Sequence, residues 1–292
     1  MKEIEFEAPQ TLTDVVTLLG ERGKDARILA GGTDLIVQLR EGKRGPDVVV
    51  DVKGVPELYD LSYDATSGLL LGAAVPCSRV YQDATVCQRY PGLIDAASLI
   101  GSVQIQNRAS LGGNLCNGSP AADGVPPLIV LSAVCRIVGP DGERELPAEE
   151  FITGPGKTIL KPQEMLVSLR LPPPPERSGA KYLRFIPRNE MDIAVAGAAS
   201  YLELEQDGQT IRAARVSLAA VAPTPLLVSA AAKVLIGKPA SEELFESAAE
   251  AARKAARPIT DMRGTEWQRR HLAGVLVRRT LQGALLRARG AE

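Results

Sequence analysis

The chain is poor in the side chains that bind metals or form catalytic acid–base pairs. It has one histidine and four cysteines among 292 residues, and aromatic residues make up 4% of it. Cys77, Cys87, Cys116 and Cys135 form no CxxC pair, which argues against a zinc site, an iron–sulfur cluster or a disulfide framework. His271 has no obvious acidic partner, so it is a poor candidate for a catalytic base. We therefore predict no metal centre and no catalytic residue in this chain.

An excess of charge and a long apolar run are also missing. The chain has 34 Lys and Arg residues and 35 Asp and Glu residues, which gives a net charge of -1. This balance gives no electrostatic reason to expect nucleic acid as a partner. No stretch reaches the roughly 18 apolar residues of a membrane span, and the first residues lack a signal-peptide core. The expected location is the cytoplasm or the inner face of the membrane.

Two glycine-rich segments are present instead, at residues 30–35 (AGGTDL) and 111–123 (LGGNLCNGSPAAD). Adjacent glycines permit positive φ and carry no Cβ to hold an anion away, so successive N–H groups can converge on a phosphate. Nearby hydroxyl and amide side chains add further donors. A single Gly-Gly turn is more often only a connection between a strand and a helix. Two such segments together predict a pyrophosphate-binding site.

The first 175 residues alternate apolar runs with helical patterns. The predicted order around the first glycine segment is a helix at 11–19, a strand at 27–30 and a helix at 34–39. This order would place a phosphate at the N-terminus of a helix. The other predictions for this part are strands at 48–52 and 69–72, a largely helical region at 78–101 broken at Pro91-Gly92, and a hairpin of 133–139 with 143–146.

Four consecutive prolines, Pro172 to Pro175, mark the clearest boundary. They cannot lie within a helix or a central strand, so they predict an extended connector between domains at 1–175 and 176–292. The second domain is predicted to have antiparallel strands at 192–204 and 211–222 and helices at 226–236, 241–256 and 265–287. The fold class is therefore α+β. The last helix carries a group of arginines that is either a docking surface or a solvated face, namely Arg269, Arg270, Arg278 and Arg279.

These segments resemble the FAD-binding subunit of the xanthine dehydrogenase and aerobic carbon monoxide dehydrogenase family of molybdenum hydroxylases. The similarity rests on residues 30–35 and 110–114 and on the Ser119, Pro120 and Asp123 that follow the latter. It continues in residues 182–194 (YLRFIPRNEMDIA), which end in an acid-Ile-Ala triplet, and in 263–264 (RG) with 272–279 (LAGVLVRR). The matches follow the family's order along nearly the whole chain. Residues 185–194 favour the carbon monoxide dehydrogenase branch.

The resemblance implies a two-subdomain FAD-binding fold of the vanillyl-alcohol oxidase type, followed by a C-terminal domain with an antiparallel sheet and helices. It also implies a small [2Fe-2S] partner subunit and a large molybdopterin partner subunit, assembled as a dimer of heterotrimers. Electrons would pass from the clusters to FAD and then to a quinone, NAD or oxygen. The large partner would select the substrate, which is carbon monoxide, an N-heterocycle such as a purine, or an aldehyde. No histidine or cysteine typical of a flavin tether is apparent, so we expect non-covalent FAD.

The resemblance also implies which residues contact FAD. They are Ile28, Leu29, Ala30, Gly31, Gly32, Thr33, Asp34, Leu35, Ser110, Gly112, Gly113, Asn114, Cys116, Asn117, Ser119, Asp123, Leu166 and Arg184. The first eight would wrap the pyrophosphate, the next four would complete its binding site, and the next three would line the ribityl path.

The last three of these residues have separate roles in the resemblance. Asp123 would accept hydrogen bonds from cofactor hydroxyls, and Leu166 would pack on the flavin ring. Arg184 stands where some family members have lysine, and its charge would stabilise reduced flavin. An ion pair at the surface is an equally open interpretation of Arg184.

Two other functions stay open at this point. One is a self-contained flavoenzyme of the same fold, such as a UDP-N-acetylenolpyruvoylglucosamine reductase or a vanillyl-alcohol-type oxidase. The oxidases often tether flavin through histidine, and His271 is distant from both glycine segments. The other is an assembly subunit that has lost FAD. The intact glycines of both segments argue against that loss.

Overall fold

The computed structural model describes residues 3–43 and 45–291 and begins with a small parallel sheet. Its elements are β1 (Glu5–Glu7), α1 (Leu12–Arg22), β2 (Ala26–Leu29), α2 (Leu35–Arg40) and β3 (Val48–Asp51). The strand order is β1-β3-β2. Thr11 caps α1, because its hydroxyl accepts a hydrogen bond from the Asp14 N–H. The predicted strand, glycine turn and helix are confirmed, with β2 ending before the first glycine segment and α2 beginning after it.

A larger antiparallel sheet follows, together with a series of short helices. Its elements are β4 (Leu61–Asp64), β5 (Gly68–Gly72), α3 (Cys77–Gln82), α4 (Ala84–Arg89), α5 (Pro91–Ala97), α6 (Val103–Gln106), α7 (Leu111–Cys116), α8 (Val125–Val130), β6 (Val134–Gly139), β7 (Gly142–Pro147), β8 (Ile152–Gly154), β9 (Lys157–Thr158) and β10 (Met165–Leu171). The sheet has the order β4-β5-β10-β6-β7, and β8 pairs with β9. The predicted hairpin is confirmed as β6 and β7.

The predicted helical region at 78–101 is divided differently from the prediction. Asp83 ends α3 and caps α4, since its carboxylate accepts from the Val86 N–H at 2.9 Å. Pro91 does not break a helix but begins α5, where its missing N–H has no intrahelical role. The break therefore lies at Tyr90, the residue before the proline, whose backbone a proline holds away from helical angles.

The C-terminal part is an antiparallel sheet covered by helices. Its elements are β11 (Ser178–Phe185), β12 (Ala196–Leu204), β13 (Ile211–Ala219), β14 (Leu226–Leu227), α9 (Ser229–Leu235), α10 (Glu242–Ala255) and α11 (Glu266–Ala288). The strands are ordered β11-β12-β13-β14. The predicted strands and helices are confirmed in outline, but β11 was missing from the prediction. Leu226 and Leu227 form a strand rather than the start of a helix, so that prediction was wrong.

The buried apolar side chains form two clusters. One lies mainly in the first 171 residues and also takes in Ala180, Tyr182 and Ala199, and the other lies between β12 to β14 and helices α9 to α11. An ion pair joins the two parts, because the Arg287 guanidinium on α11 donates to both carboxylate oxygens of Asp95 on α5, at 2.7 and 2.9 Å. The Tyr182 N–H also donates to Asp95. These contacts hold β11 against the first part of the chain.

Candidate functional site

The two glycine segments line the same cavity, which has a volume of about 430 Å³. This volume lies within the range of about 300–1,000 Å³ that is usual for small-molecule sites. The predicted site residues on its wall are Ile28, Ala30, Gly31, Gly32, Thr33, Asp34, Leu35, Ser110, Gly112, Gly113, Asn114, Cys116, Asn117 and Leu166. The fold thus brings together residues that lie about 80 positions apart in the sequence.

Close backbone packing explains the glycines. A Cβ on Gly31 would lie 2.0 Å from the carbonyl oxygen of Arg108, and one on Gly112 would lie 2.4 Å from that of Ala73. Gly32 has φ +79°, which L side chains rarely adopt. Larger residues at positions 31 and 112 would displace the backbone of Arg108 and Ala73 that packs against them.

The first segment offers backbone donors to the cavity. Within residues 3–43 and 45–291, the N–H groups of Gly32, Thr33 and Asp34 have no backbone acceptor. The first intrahelical bond of α2 runs from the Ile36 N–H to the Gly32 carbonyl, so these donors precede the hydrogen-bonded part of the helix. Consecutive free N–H groups next to a positive-φ glycine are suited to phosphate oxygens, and the segment therefore fits a pyrophosphate.

The second segment begins with the short helix α7 rather than with a free loop. Ser110 caps α7, and its hydroxyl oxygen accepts from the Gly113 N–H at 3.0 Å. The side-chain oxygen of Asn114 accepts from the Gly124 N–H at 3.0 Å. Both oxygens are thus used within the protein, while the Ser110 hydroxyl hydrogen and the Asn114 amide N–H groups stay available to the cavity.

Basic side chains that the sequence analysis missed line the cavity too. Lys24, Arg27 and Lys161 lie on its wall. Arg27 donates to the carbonyls of Lys24 and Ala26, which holds its guanidinium in place. Cations on the wall favour an anionic ligand. No motif marks these residues, because Lys24 lies in the turn after α1, Arg27 on β2 and Lys161 in the loop before β10.

Two titratable groups on the cavity wall have raised pKa values. Burial raises the pKa of the Cys116 thiol to about 12, although the residue is exposed toward the cavity. Cys116 therefore stays protonated at neutral pH. Burial also raises the pKa of the Asp34 carboxyl group.

Four of the predicted residues do not line the cavity, namely Leu29, Ser119, Asp123 and Arg184. Consecutive residues of a strand point to opposite faces, so Leu29 cannot share the orientation of Ile28. Leu166 and Arg184 were both expected at the flavin ring. Leu166 lines the cavity and Arg184 does not, so the structure does not place them on one surface.

Asp123 and Arg184 form a buried pair. An Arg184 guanidinium N–H and the Tyr182 hydroxyl both donate to the Asp123 carboxylate, the latter at 2.5 Å. The side chains of Arg184 and Asp123 are only 6% and 11% exposed, which excludes a surface ion pair. Burial raises the pKa of Asp123, and the charge of Arg184 opposes this rise. The carboxylate already has two protein donors, so its predicted contact with cofactor hydroxyls stays a prediction.

Residues 117–124, which connect α7 to α8 and are called the Ser119 loop below, contact one end of the C-terminal sheet. Arg184 on β11 is paired in register with Gly197 on β12, and Gly197 with Ala219 on β13, so the three residues lie at the same end. There the Ala220 N–H donates to the carbonyl oxygen of Pro120 at 2.7 Å. Together with the pair of Asp123 and Arg184, this bond attaches the end of the second glycine segment to the C-terminal part.

One of the four arginines considered as a docking surface is inside the protein. Arg269 is 4% exposed, and its guanidinium donates to the carbonyl oxygens of Val195 and Ala220, both at 2.9 Å. The prediction of a docking or solvated face was therefore wrong for Arg269. Arg270 and Arg278 are partly exposed and Arg279 is exposed.

The described residues contain neither a membrane-spanning helix nor a cluster of metal ligands. None of the helices in residues 3–43 and 45–291 is both long and apolar enough to cross a bilayer. The same residues contain no group of three or more His, Cys, Asp or Glu side chains placed to hold a metal ion.

Comparison with known families matches both parts of the chain. Residues 2–174 match the model of the FAD binding domain in molybdopterin dehydrogenase, and residues 181–284 match that of the CO dehydrogenase flavoprotein C-terminal domain. The carbon monoxide dehydrogenase medium chain of Hydrogenophaga pseudoflava is 32% identical over 97% of each chain. The xanthine dehydrogenase FAD-binding subunit of Escherichia coli O157:H7 is 31% identical over 96% of this chain and 95% of its own.

Solved structures agree. A chain of the carbon monoxide dehydrogenase of Hydrogenophaga pseudoflava superimposes with a TM-score of 0.94, at 32% identity and 98% coverage of both chains. A chain of quinoline 2-oxidoreductase from Pseudomonas putida 86 gives 0.90, at 30% identity, with 100% of this chain and 99% of its own covered. The predicted fold, an FAD-binding domain followed by a domain with an antiparallel sheet and helices, is confirmed. The chain therefore belongs to the FAD-binding subunits of the carbon monoxide dehydrogenase and xanthine dehydrogenase family of molybdenum hydroxylases, and is an oxidoreductase subunit.

Proposed function

We propose that this chain binds FAD non-covalently across its two glycine segments and transfers electrons between a [2Fe-2S] partner subunit and an external acceptor. The observation that carries the proposal is the convergence of both segments on one cavity of about 430 Å³. Free N–H groups, close glycine packing and basic side chains meet there. This donor set suits a dinucleotide, whose pyrophosphate needs many hydrogen-bond donors at once.

Different residues of this chain would contribute different contacts to the cofactor. The N–H groups of residues 32–34 and the Thr33 hydroxyl would hold the pyrophosphate from one side. The Ser110 hydroxyl and the Asn114 amide, beside Gly112 and Gly113 at the N-terminus of α7, would hold it from the other. Leu166 contributes an apolar surface, and Lys24, Arg27 and Lys161 contribute positive charge. FAD, when bound, supplies the redox chemistry that no side chain of this cavity provides.

The proposed assembly follows from the family. The carbon monoxide dehydrogenase relatives are called medium chains, and we propose a large molybdopterin subunit and a small iron–sulfur subunit as partners, in a dimer of heterotrimers. We also propose a location in the cytoplasm or at the inner face of the membrane. The division into domains at residues 1–175 and 176–292 is part of the same proposal, with the four prolines as the connector.

Purification with and without the partner subunits tests this function. The isolated chain should carry a yellow flavin that heat or acid denaturation releases as free FAD. A chemical reductant should bleach the flavin in both samples. An organic substrate or carbon monoxide should bleach it only in the complete complex.

Three results would contradict the proposal. Flavin that stays attached to the denatured chain would exclude non-covalent binding. Bleaching of the isolated chain by an organic substrate would support a self-contained flavoenzyme instead. A chain that purifies without FAD, and takes none up from solution, would support the assembly subunit.

A further inference from the structure

Two backbone carbonyls and one carboxylate, from three separate segments, meet at one buried guanidinium on α11. Arg269 donates to the carbonyl oxygens of Val195 and Ala220, and at 2.7 Å to the carboxylate of Asp261. Val195 ends the loop between β11 and β12, and its N–H donates to the Phe185 carbonyl. A single side chain thus fixes the loop before β12, the residue after β13 and the turn before α11.

Ala220 has an unusual backbone conformation. Its φ is +63°, and among the described residues only Ser132 and Met191 are other non-glycine positions with positive φ. Ser132 follows α8, where a left-handed residue is a common way to end a helix. Ala220 ends no helix, and both its backbone groups are occupied, the N–H by Pro120 and the carbonyl by Arg269. Such strain persists only where the surrounding contacts enforce it, and it is often found at functional sites.

The contacts of Ala220 lead to the second glycine segment, which lines the cavity as far as Asn117. Pro120, whose carbonyl accepts from the Ala220 N–H, follows Asn117 by three residues and lies between Ser119 and Asp123, which the family resemblance places at the cofactor. Asp123 in turn pairs with Arg184 at the same end of the sheet. The Arg269 guanidinium, 4% exposed, therefore acts on this site through two backbone segments without lining the cavity.

We infer that Arg269 is a positioning residue of the flavin site, an inference that rests on the proposed function. It holds residues 191–195 and Ala220 in the arrangement that attaches the Ser119 loop to the end of the sheet. Its planar fork serves three acceptors at once, which a lysine ammonium cannot do with the same geometry. Arg269→Gln removes the charge and the fork, and Arg269→Lys keeps the charge only.

Arg287 provides a matched control on the same helix. Its side chain is 9% exposed and binds a carboxylate, Asp95, and a carbonyl oxygen, that of Ala180. Arg287→Gln should therefore destabilise the fold comparably without acting on residues 191–195 and 219–222. Any effect restricted to Arg269 variants is then a local one.

Two readouts test the inference. Hydrogen exchange followed by mass spectrometry should show that residues 191–195 and 219–222 exchange at least about tenfold faster in Arg269→Gln than in the wild type. This is the size expected for losing a hydrogen bond to a charged group. The visible circular dichroism of bound FAD should change in the same variant. Arg269→Lys should show intermediate values, and Arg287→Gln should match the wild type in both readouts.

Wild-type exchange in these segments of Arg269→Gln, or an unchanged circular dichroism of its bound FAD, would overturn the inference, as would equal changes in Arg287→Gln. If Arg269→Gln does not fold, the same two readouts are taken from Arg269→Lys. Wild-type values of both in that variant would also overturn the inference. The exchange experiment is performed on the apo chain as well. A wild-type chain that binds no FAD would contradict the proposed function, while the exchange data would still decide what Arg269 positions.

Discussion

The side-chain amide of Gln38 donates to the side-chain oxygen of Asn117 at 3.1 Å, joining two residues that are 79 positions apart. Gln38 lies on α2, which follows the first glycine segment, and Asn117 ends α7, which contains the second. Both residues line the cavity. The bond fixes the distance between the two segments, and with it the width of the proposed pyrophosphate site.

Gly113→Ala should weaken FAD binding without harming the fold. A Cβ there would approach only the Ser110 hydroxyl, at 2.9 Å, and alanine is about 1 kcal/mol better than glycine inside a helix. The methyl group would enter the cavity, and we expect about a tenfold higher Kd for FAD. Fluorescence titration and urea unfolding of the apo chain measure the two effects.

Gly20→Ala is the control for that substitution. Gly20 lies in α1, and the nearest atom to an added Cβ is 3.6 Å away on Pro140. Its affinity for FAD should stay at the wild-type value. Gly31→Ala should instead lose stability, because its Cβ would collide with the Arg108 carbonyl. An unchanged Kd in Gly113→Ala would show that the cofactor does not approach α7.

Bound FAD should protect Cys116 from thiol reagents. Cys116 is an exposed residue on the cavity wall, and its pKa of about 12 makes the reaction slow even in the apo chain. Cys87 is exposed and does not line the cavity, so it should react at the same rate with and without FAD. Mass spectrometry after timed alkylation measures both sites. Equal labelling of Cys116 in the apo and FAD-bound chains would show that FAD leaves this wall open.

Asp123→Ala should destabilise the fold by about 3–5 kcal/mol, because it leaves the buried Arg184 charge unpaired. Tyr182→Phe removes only one donor to the carboxylate and should cost about 1.5 kcal/mol. Urea unfolding of the apo chain measures these changes. Glu143→Ala is the comparison, since it breaks the more exposed pair with Arg136 and should cost less than about 1 kcal/mol. Equal midpoints for Asp123→Ala and the wild type would contradict a structural role of the buried pair.

Glu164 should make stability depend on acid pH. A hydrogen bond from Arg144 lowers the pKa of Glu164 below its usual 4.5. The resulting stabilisation is fully present above that value and is lost as the pH falls through the lower pKa of the folded state. Glu164→Gln should therefore cost about 1 kcal/mol at pH 7, and this difference should shrink in acid. Urea midpoints at neutral and acid pH measure it, and a difference of the same size at both would refute the assignment.

The sequence by itself determined the local features of the site. The glycine pairs and the strand and helix on either side of the first segment follow from backbone sterics and neighbouring side chains. These are short-range effects, so the order of elements was readable before the fold was known. The family resemblance added FAD and the partner subunits.

Only the tertiary structure decided which residues share a surface. Leu29 and Ile28 are neighbours in sequence, yet only Ile28 lines the cavity. Arg184 pairs with Asp123 and Arg269 is buried beneath two loops, although an arginine in sequence gives no sign of either partner. Burial and ion pairing depend on segments far apart along the chain. The packing that brings those segments together decides how far a charged side chain is removed from water. The local pattern of the sequence therefore predicted the phosphate-binding turns but not the contacts that join them to the C-terminal sheet.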